Sequence, residues 1–273
     1  MSSLFLAITA AALYFGAAAL LLLRLAAPAV RRRVSMLKAL APAVFALLPH
    51  AWLLSEQLFT AAGLDFGLFN ALSLIGALAA ILLLLMTLVR PVDNLGIGLF
   101  PLVAAIVLMS DAWSTHRLLS SHPEVPIPIQ VHVLISILAY SLLTLAAFQA
   151  VLVAVEDHFL RNRRPVGFIR ALPPLATMES IMFGLLGTGF GLLTLALASG
   201  FFFLDDIFAQ HLVHKTVLSL LAWLVFAVLL IGRLRFGWRG QKAIRWTLGG
   251  FLSLLLAYVG SKLVLEVILG GRA

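Results

Sequence analysis

The side chains able to do chemistry in this 273-residue chain are few, and most are histidines. His50 follows Pro49 inside an otherwise apolar run. An ionised group at that depth costs at least a few kcal/mol, so the imidazole is expected to be neutral, inward-facing and bonded. A neutral imidazole serves a structural hydrogen bond, and it also ligates haem-type iron. A second run begins Gln130-Val131-His132 and continues with Ser136, Tyr140 and Thr144. The last four recur every fourth residue and so form one polar stripe on a helix. His132 stands at the end of that stripe, where it is either an interfacial histidine or a ligand held on a rigid element. His211 and His214 are three apart, and with His116, His122 and Glu124 they make one surface histidine-rich. A zinc or copper site there competes with plain solvated loop histidines, because no preset ligand array is visible. His158, beside Glu156 and Asp157, reads as the solvated end of a helix.

Other chemistries are excluded. The chain has no cysteine, so it cannot form a disulfide, a thiol relay, a zinc ribbon or a covalent haem motif. Nothing matches a phosphate-binding Walker loop, a nucleophile elbow or a metalloprotease helix, and no hydrolytic enzyme is expected.

The elements that must position these residues are apolar helices. The chain is 63% hydrophobic and 11% charged, against a charged share of roughly 25% in soluble domains. Charge-poor runs predict spans over about 3–24, 37–56, 66–89, 94–112, 129–155, 180–204, 214–232 and 245–268. Each is near the roughly 20 residues that cross a hydrocarbon layer of about 30 Å. The expected fold is all-α: a polytopic membrane bundle of eight transmembrane helices, with residues 1–273 forming a single integral membrane domain.

Orientation follows from charge. Fifteen of the 19 Lys and Arg residues lie on one set of alternate connections: Arg24, Arg31, Arg32, Arg33, Lys38, Arg90, Arg161, Arg163, Arg164, Arg170, Arg233, Arg235, Arg239, Lys242 and Arg245. The other set carries Arg117, Lys215, Lys262 and Arg272. The positive-inside bias predicts that the first set is cytoplasmic and both termini are outside. The net charge of +8 is therefore a topology signal and an attraction to anionic lipid, not a nucleic-acid signal. The first span has no basic residue before it and a basic cluster after it, as expected of a retained N-out helix. The Ala-rich stretch near Ala27 leaves a cleaved leader as the alternative.

Two features predict packing. Gly187 and Gly191 have the small-xxx-small spacing that admits a neighbouring backbone, and a close helix contact is expected there. Pro49 removes a helical hydrogen bond and should kink its helix. Around residues 156–178, a short interfacial helix ending at Pro173-Pro174 is expected.

The second half of the chain carries a family resemblance. Leu172-Pro173-Pro174-Leu175, Gly189-Phe190-Gly191-Leu192-Leu193-Thr194-Leu195 and Ser199-Gly200 resemble the sixth-span region of cytochrome c assembly proteins of the CcsA/CcmC type. So do His214-Lys215-Thr216, Leu221-Ala222-Trp223-Leu224-Val225-Phe226 and Gly237-Trp238-Arg239-Gly240. His132-Val133 with Leu138-Ala139-Tyr140 is similar to the family's outer histidine and the helix it begins. His50 occupies the place of the family's early transmembrane histidine. The chain also departs from the pattern. Ile207 to Val213 stand where the tryptophan-rich motif would fall, and Ile231 and Leu269 stand near two further family histidines. The match is best to the short single-polypeptide inner-membrane branch.

The resemblance implies a non-enzymatic, haem-handling protein of the bacterial inner membrane. It would bind or present non-covalent b-type haem at the outer face. His132 would be the outer iron ligand, His50 a membrane ligand, and His211 or His214 a replacement second ligand. Phe201, Phe202, Phe203 and Trp223 would contact the porphyrin. The implied partners are haem, apocytochrome c or other assembly proteins, and the bilayer. The rival expectation is a haem-free transport or transporter-accessory protein on the same scaffold.

Overall fold

The computed structural model describes residues 2–60, 63–114, 126–161, 171–203 and 213–260. Among these residues the protein is almost wholly helical, and eight helices are long and apolar enough to cross a membrane. They occupy Ser3–Ala26, Met36–Leu58, Leu68–Thr87, Asp93–Trp113, Ile127–Arg161, Leu175–Phe202, Val213–Phe236 and Gly240–Gly260. The sequence reading treats the spans as one membrane domain. The contacts of the described residues gather into two compact units, each with its own core and four spans.

The first unit, Met1–Val125 with Phe159–Pro174, is built on α1 (Ser3–Ala26), α3 (Met36–Leu58), α4 (Leu68–Thr87) and α5 (Gly96–Ser114), and a six-residue α2 (Pro28–Arg33) joins α1 to α3. The buried face of α1 reads Ala7, Ala10, Ala11, Tyr14, Ala17, Ala18 and Leu21. Helical spacing puts these residues on one stripe, and the small side chains let α1 lie close against α3 and α5. Pro42 and Pro49 lie inside a continuous α3. Between α3 and α4, β1 (Phe59–Thr60) and β2 (Gly63–Leu64) form a minimal antiparallel pair. Asn70 Nδ2, 3.3 Å from the Gln57 carbonyl, ties the start of α4 to the end of α3.

The second unit, Pro126–His158 with Leu175–Ala273, contains α6 (Ile127–Arg161) as far as His158, α7 (Leu175–Phe203), α8 (Val213–Phe236) and α9 (Gly240–Leu255), with α9 continuing into a π turn at Leu256–Gly260. The 35 residues of α6 rise about 52 Å, well beyond a hydrocarbon layer of about 30 Å. At its far end the expectation of a solvated His158 holds, while the acids beside it turn out buried. Glu156 and Asp157 are buried, and Asp157 Oδ2 accepts from Gln241 Nε2 at 2.7 Å. The next residue, His158, is exposed. Glu179 Oε1 accepts the Gly240 N–H at 2.6 Å, which binds the start of α7 to the start of α9. The interfacial helix expected before Pro173 falls largely on residues outside the described set, and α7 begins directly after Pro174.

The glycine expectation is corrected here. A Cβ added at Gly187 or Gly191 would meet nothing within 4 Å, whereas one at Gly189 would come within 2.8 Å of Leu143. The small-residue spacing therefore lies on an open face of α7. The close approach to α6 runs through Gly189, about 160° from Gly191 and Gly187 around the helix at 100° per residue.

α8 and α9 are joined by a tight corner. Gly237 and Gly240 have φ of 64° and 56°, values that burden any residue with a Cβ. Gly237 N–H donates to the Arg233 carbonyl, and Trp238 N–H to the Gly232 carbonyl, each at 3.2 Å. Trp238 packs on Phe236 and Trp246, and the Lys242 ammonium sits 3.5 Å from the centre of its ring.

Candidate functional site

In the first unit, His50 is held on α3 and completely buried. Its Nδ1 lies 3.1 Å from Tyr14 Oη on α1, and its Nε2 lies 2.9 Å from Ser73 Oγ on α4. Tyr14 packs edge-on against the imidazole and stacks on Phe100 of α5. Tyr14 and Ser73 are as fully buried as His50. A neutral imidazole has one donor and one acceptor, and this arrangement uses both. His50 thus links three helices by side-chain hydrogen bonds. To bind a metal it would have to give up one of them.

In the second unit, the polar stripe of α6 turns inward. His132 is half-buried near the start of the helix, and its Nδ1 lies 3.0 Å from Ser199 Oγ on α7. Ser199 itself donates to the Ala196 carbonyl at 2.9 Å. Ser136 Oγ donates to the His132 carbonyl at 2.8 Å, within its own helix. Tyr140 Oη donates to the Leu254 carbonyl at 2.8 Å, near the place where α9 passes into its π turn. Two of the stripe's hydroxyls are therefore engaged in structural bonds to main-chain carbonyls.

Trp223, on α8, is held against another part of α7. Its Nε1 donates to Thr194 Oγ1 at 2.9 Å, and its ring stacks on Phe190 with centroids 5.6 Å apart. Thr194 and Ser199 are five residues apart, about 140° around α7. His132 and Trp223 thus approach different faces of α7. His214, at the start of α8, and Phe201 and Phe202, at the end of α7, are exposed. They share with His132 the end of the unit opposite to Asp157 and Gln241. His211, His116, His122, Glu124, Ile207 and Leu269 lie outside the described residues, as does the side chain of Phe203. Ile231 is an exposed residue of α8. Among the described residues, no group of three or more His, Asp or Glu side chains is arranged to hold a metal ion.

The sequence alone does not single out Tyr14 or Ser73, and it offers Ser199 only within the family resemblance, not as the partner of His132. A hydroxyl in an apolar helix signals only that it needs a partner. These pairs span 36, 23 and 67 residues, so no local pattern joins them.

Eight apolar helices of crossing length define a polytopic helical membrane protein, with a half-buried histidine near one end of the second helical unit. The comparisons with known proteins narrow that class. The profile of the family described as Cytochrome C assembly protein matches residues 39–269, and the chain belongs to that family. It is similar to the inner membrane protein YpjD of Escherichia coli (strain K12), with 33% identity over 234 residues that cover 84% of this chain and 87% of that protein. It is also similar to an uncharacterized 28.8 kDa protein of Azospirillum brasilense, at 32% identity over 81% of this chain and 82% of that one. The cytochrome c biogenesis protein CcsA of Chlamydomonas reinhardtii is 25% identical over 60% of this chain and 48% of its own length. No solved structure matches.

Proposed function

We propose that the protein handles haem, binding or presenting it at the outer face of the inner membrane, without catalytic turnover of its own. The observation that carries the reading is the setting of His132. Its Nδ1 is held by Ser199, which is anchored in turn to the Ala196 carbonyl. An imidazole fixed through one nitrogen presents the other as a well-oriented iron ligand, and partners of this kind set both the tautomer and the basicity of the ring. Membership of the cytochrome c assembly family supplies the chemistry of the ligand, since iron porphyrin accepts a neutral imidazole as an axial ligand. The relatives named for the inner membrane and for cytochrome c biogenesis support the location and point to apocytochrome c or other assembly proteins as clients.

In this reading both termini are outside, as the 15-to-4 split of basic residues favours. His214 and His211 are the residues to supply a second axial position. The exposed Phe201 and Phe202 offer apolar surface to a porphyrin, while Trp223 serves chiefly to hold α8 on α7. His50 remains bonded to Tyr14 and Ser73 and contributes structure, not ligation.

The alternative is a haem-free transport or transporter-accessory protein. It needs the stripe of α6 to line a solute path. The bonds of Ser136 and Tyr140 to main-chain carbonyls leave that path poorer in free polar groups than the sequence suggests.

The test is the visible absorption spectrum of the full chain purified in mild detergent after expression with haem supplied. A Soret band that disappears in His132→Ala and persists in His158→Ala supports the reading. A chain that never acquires a Soret band leaves the transport or accessory reading in its place.

A further inference from the structure

The first unit contains a cleft of about 400 Å³ at the end where α1 and α2 meet the turn leading into α5. Arg24, Arg31, Asp93 and Asn94 supply its polar wall, and Leu21 and Pro173 are among its apolar lining. Arg24 Nη1 donates to the Val34 carbonyl, so its guanidinium is fixed at the end of α2 and does not trail into solvent. Among the described residues neither Arg24 nor Arg31 is paired with a carboxylate, and Asp93 forms no ion pair. The described stretches at this end of the unit, 24–38, 88–95 and 171–174, contain six Lys or Arg residues and a single acid, Asp93. Charge of one sign concentrated beside low-dielectric walls focuses a positive potential in the cleft.

We infer that this cleft is a binding site for a phosphate ester whose phosphate is held by Arg24 and Arg31. The guanidinium fork matches phosphate oxygens in pairs, and such bonds are about twice as strong as neutral ones. Asn94 adds a neutral donor, and Asp93 is placed to accept from a hydroxyl or ammonium group carried beside the phosphate. The apolar side of the cleft includes Leu21, a buried residue of the spanning helix α1. The site is thus amphipathic, as a lipid headgroup with the root of its acyl chains requires. The same phosphate chemistry is carried by a free phosphate ester, and the experiment separates the two sources.

The full chain is purified in mild detergent and stripped of lipid. Binding of phosphatidylglycerol, phosphatidylcholine and glycerol 3-phosphate is then measured by native mass spectrometry, with melting temperature as a second readout. Wild type should bind one phosphatidylglycerol in preference to phosphatidylcholine and be stabilised by it. Arg31→Gln should weaken binding on the order of tenfold, as losing a charged phosphate contact does. Arg235→Gln, a basic residue of the second unit, should leave binding unchanged. Arg31→Gln is the primary variant, because Arg24→Gln also removes the bond to Val34. Glycerol 3-phosphate that binds alone and displaces the lipid assigns the site to a free phosphate ester. Failure to do so assigns it to lipid. Absence of binding by either, or equal losses in Arg31→Gln and Arg235→Gln, overturns the inference.

Discussion

His132 Nδ1 and Ser199 Oγ lie 3.0 Å apart, so one hydrogen bond orients the histidine of α6 from the neighbouring helix α7. That bond restrains a side chain that otherwise has two rotatable torsions.

Removing the holder should therefore differ from removing the ligand. Ser199→Ala should retain a Soret band while weakening haem affinity by about tenfold or more, the range found when a partner of a metal-bound histidine is lost. Titration of the purified variant with haem measures this. Affinity equal to wild type would mean that Ser199 does not position the ring.

The buried trio of the first unit predicts a stability pattern. Tyr14→Phe and Ser73→Ala should each destabilise by about 1–2 kcal/mol, because each leaves one imidazole nitrogen unpaired in a dry interior. Their effects should be non-additive with His50→Phe, since all three share one network. Unfolding in mixed micelles provides the readout, and a His50→Phe protein that melts like the parent would remove His50 from the structural role. The same variant should keep its Soret band.

Helix packing gives a contrast between near neighbours. Gly189→Ala should destabilise by about 1–3 kcal/mol, because its Cβ would overlap Leu143. Gly187→Ala and Gly191→Ala should be neutral or stabilising by up to about 1 kcal/mol, since alanine favours helix where space is open. Equal melting of all three variants in detergent would contradict the contact between α6 and α7.

Orientation is tested by reporters. Fusions after residues 120 and 208 should read as outside, and fusions near 165 and 238 as inside, as the distribution of Lys and Arg dictates. A cytoplasmic signal at 120 would reverse the orientation and turn His132 toward the cytoplasm.

Hydropathy made the spans legible, and it failed at their ends for a physical reason. The run predicted over 129–155 continues to Arg161 because Asp157 is taken up by Gln241. The run predicted from 180 starts at Leu175 because Glu179 accepts from Gly240. A charge marks a helix end only when it has no partner inside, and the partners here lie 84 and 61 residues away. The stripe beginning at His132 was legible because a period of four needs no tertiary information. Which glycine of α7 meets α6 was not, since three glycines within five residues face different directions. The pairing of Trp223 with Thr194 was hidden for the same reason, and only the structure separates it from His132.

The corner between α8 and α9 bears on how the chain enters its membrane. Gly232, Gly237, Trp238 and Lys242 close on one another within a short stretch of sequence, where loop-closure entropy is small. Two antiparallel helices joined this way can be handed from the insertion machinery to lipid as a finished hairpin. With the orientation proposed above, the four bases from Arg235 to Arg245 stay on the side of synthesis, and the connection between the two helices is not carried across.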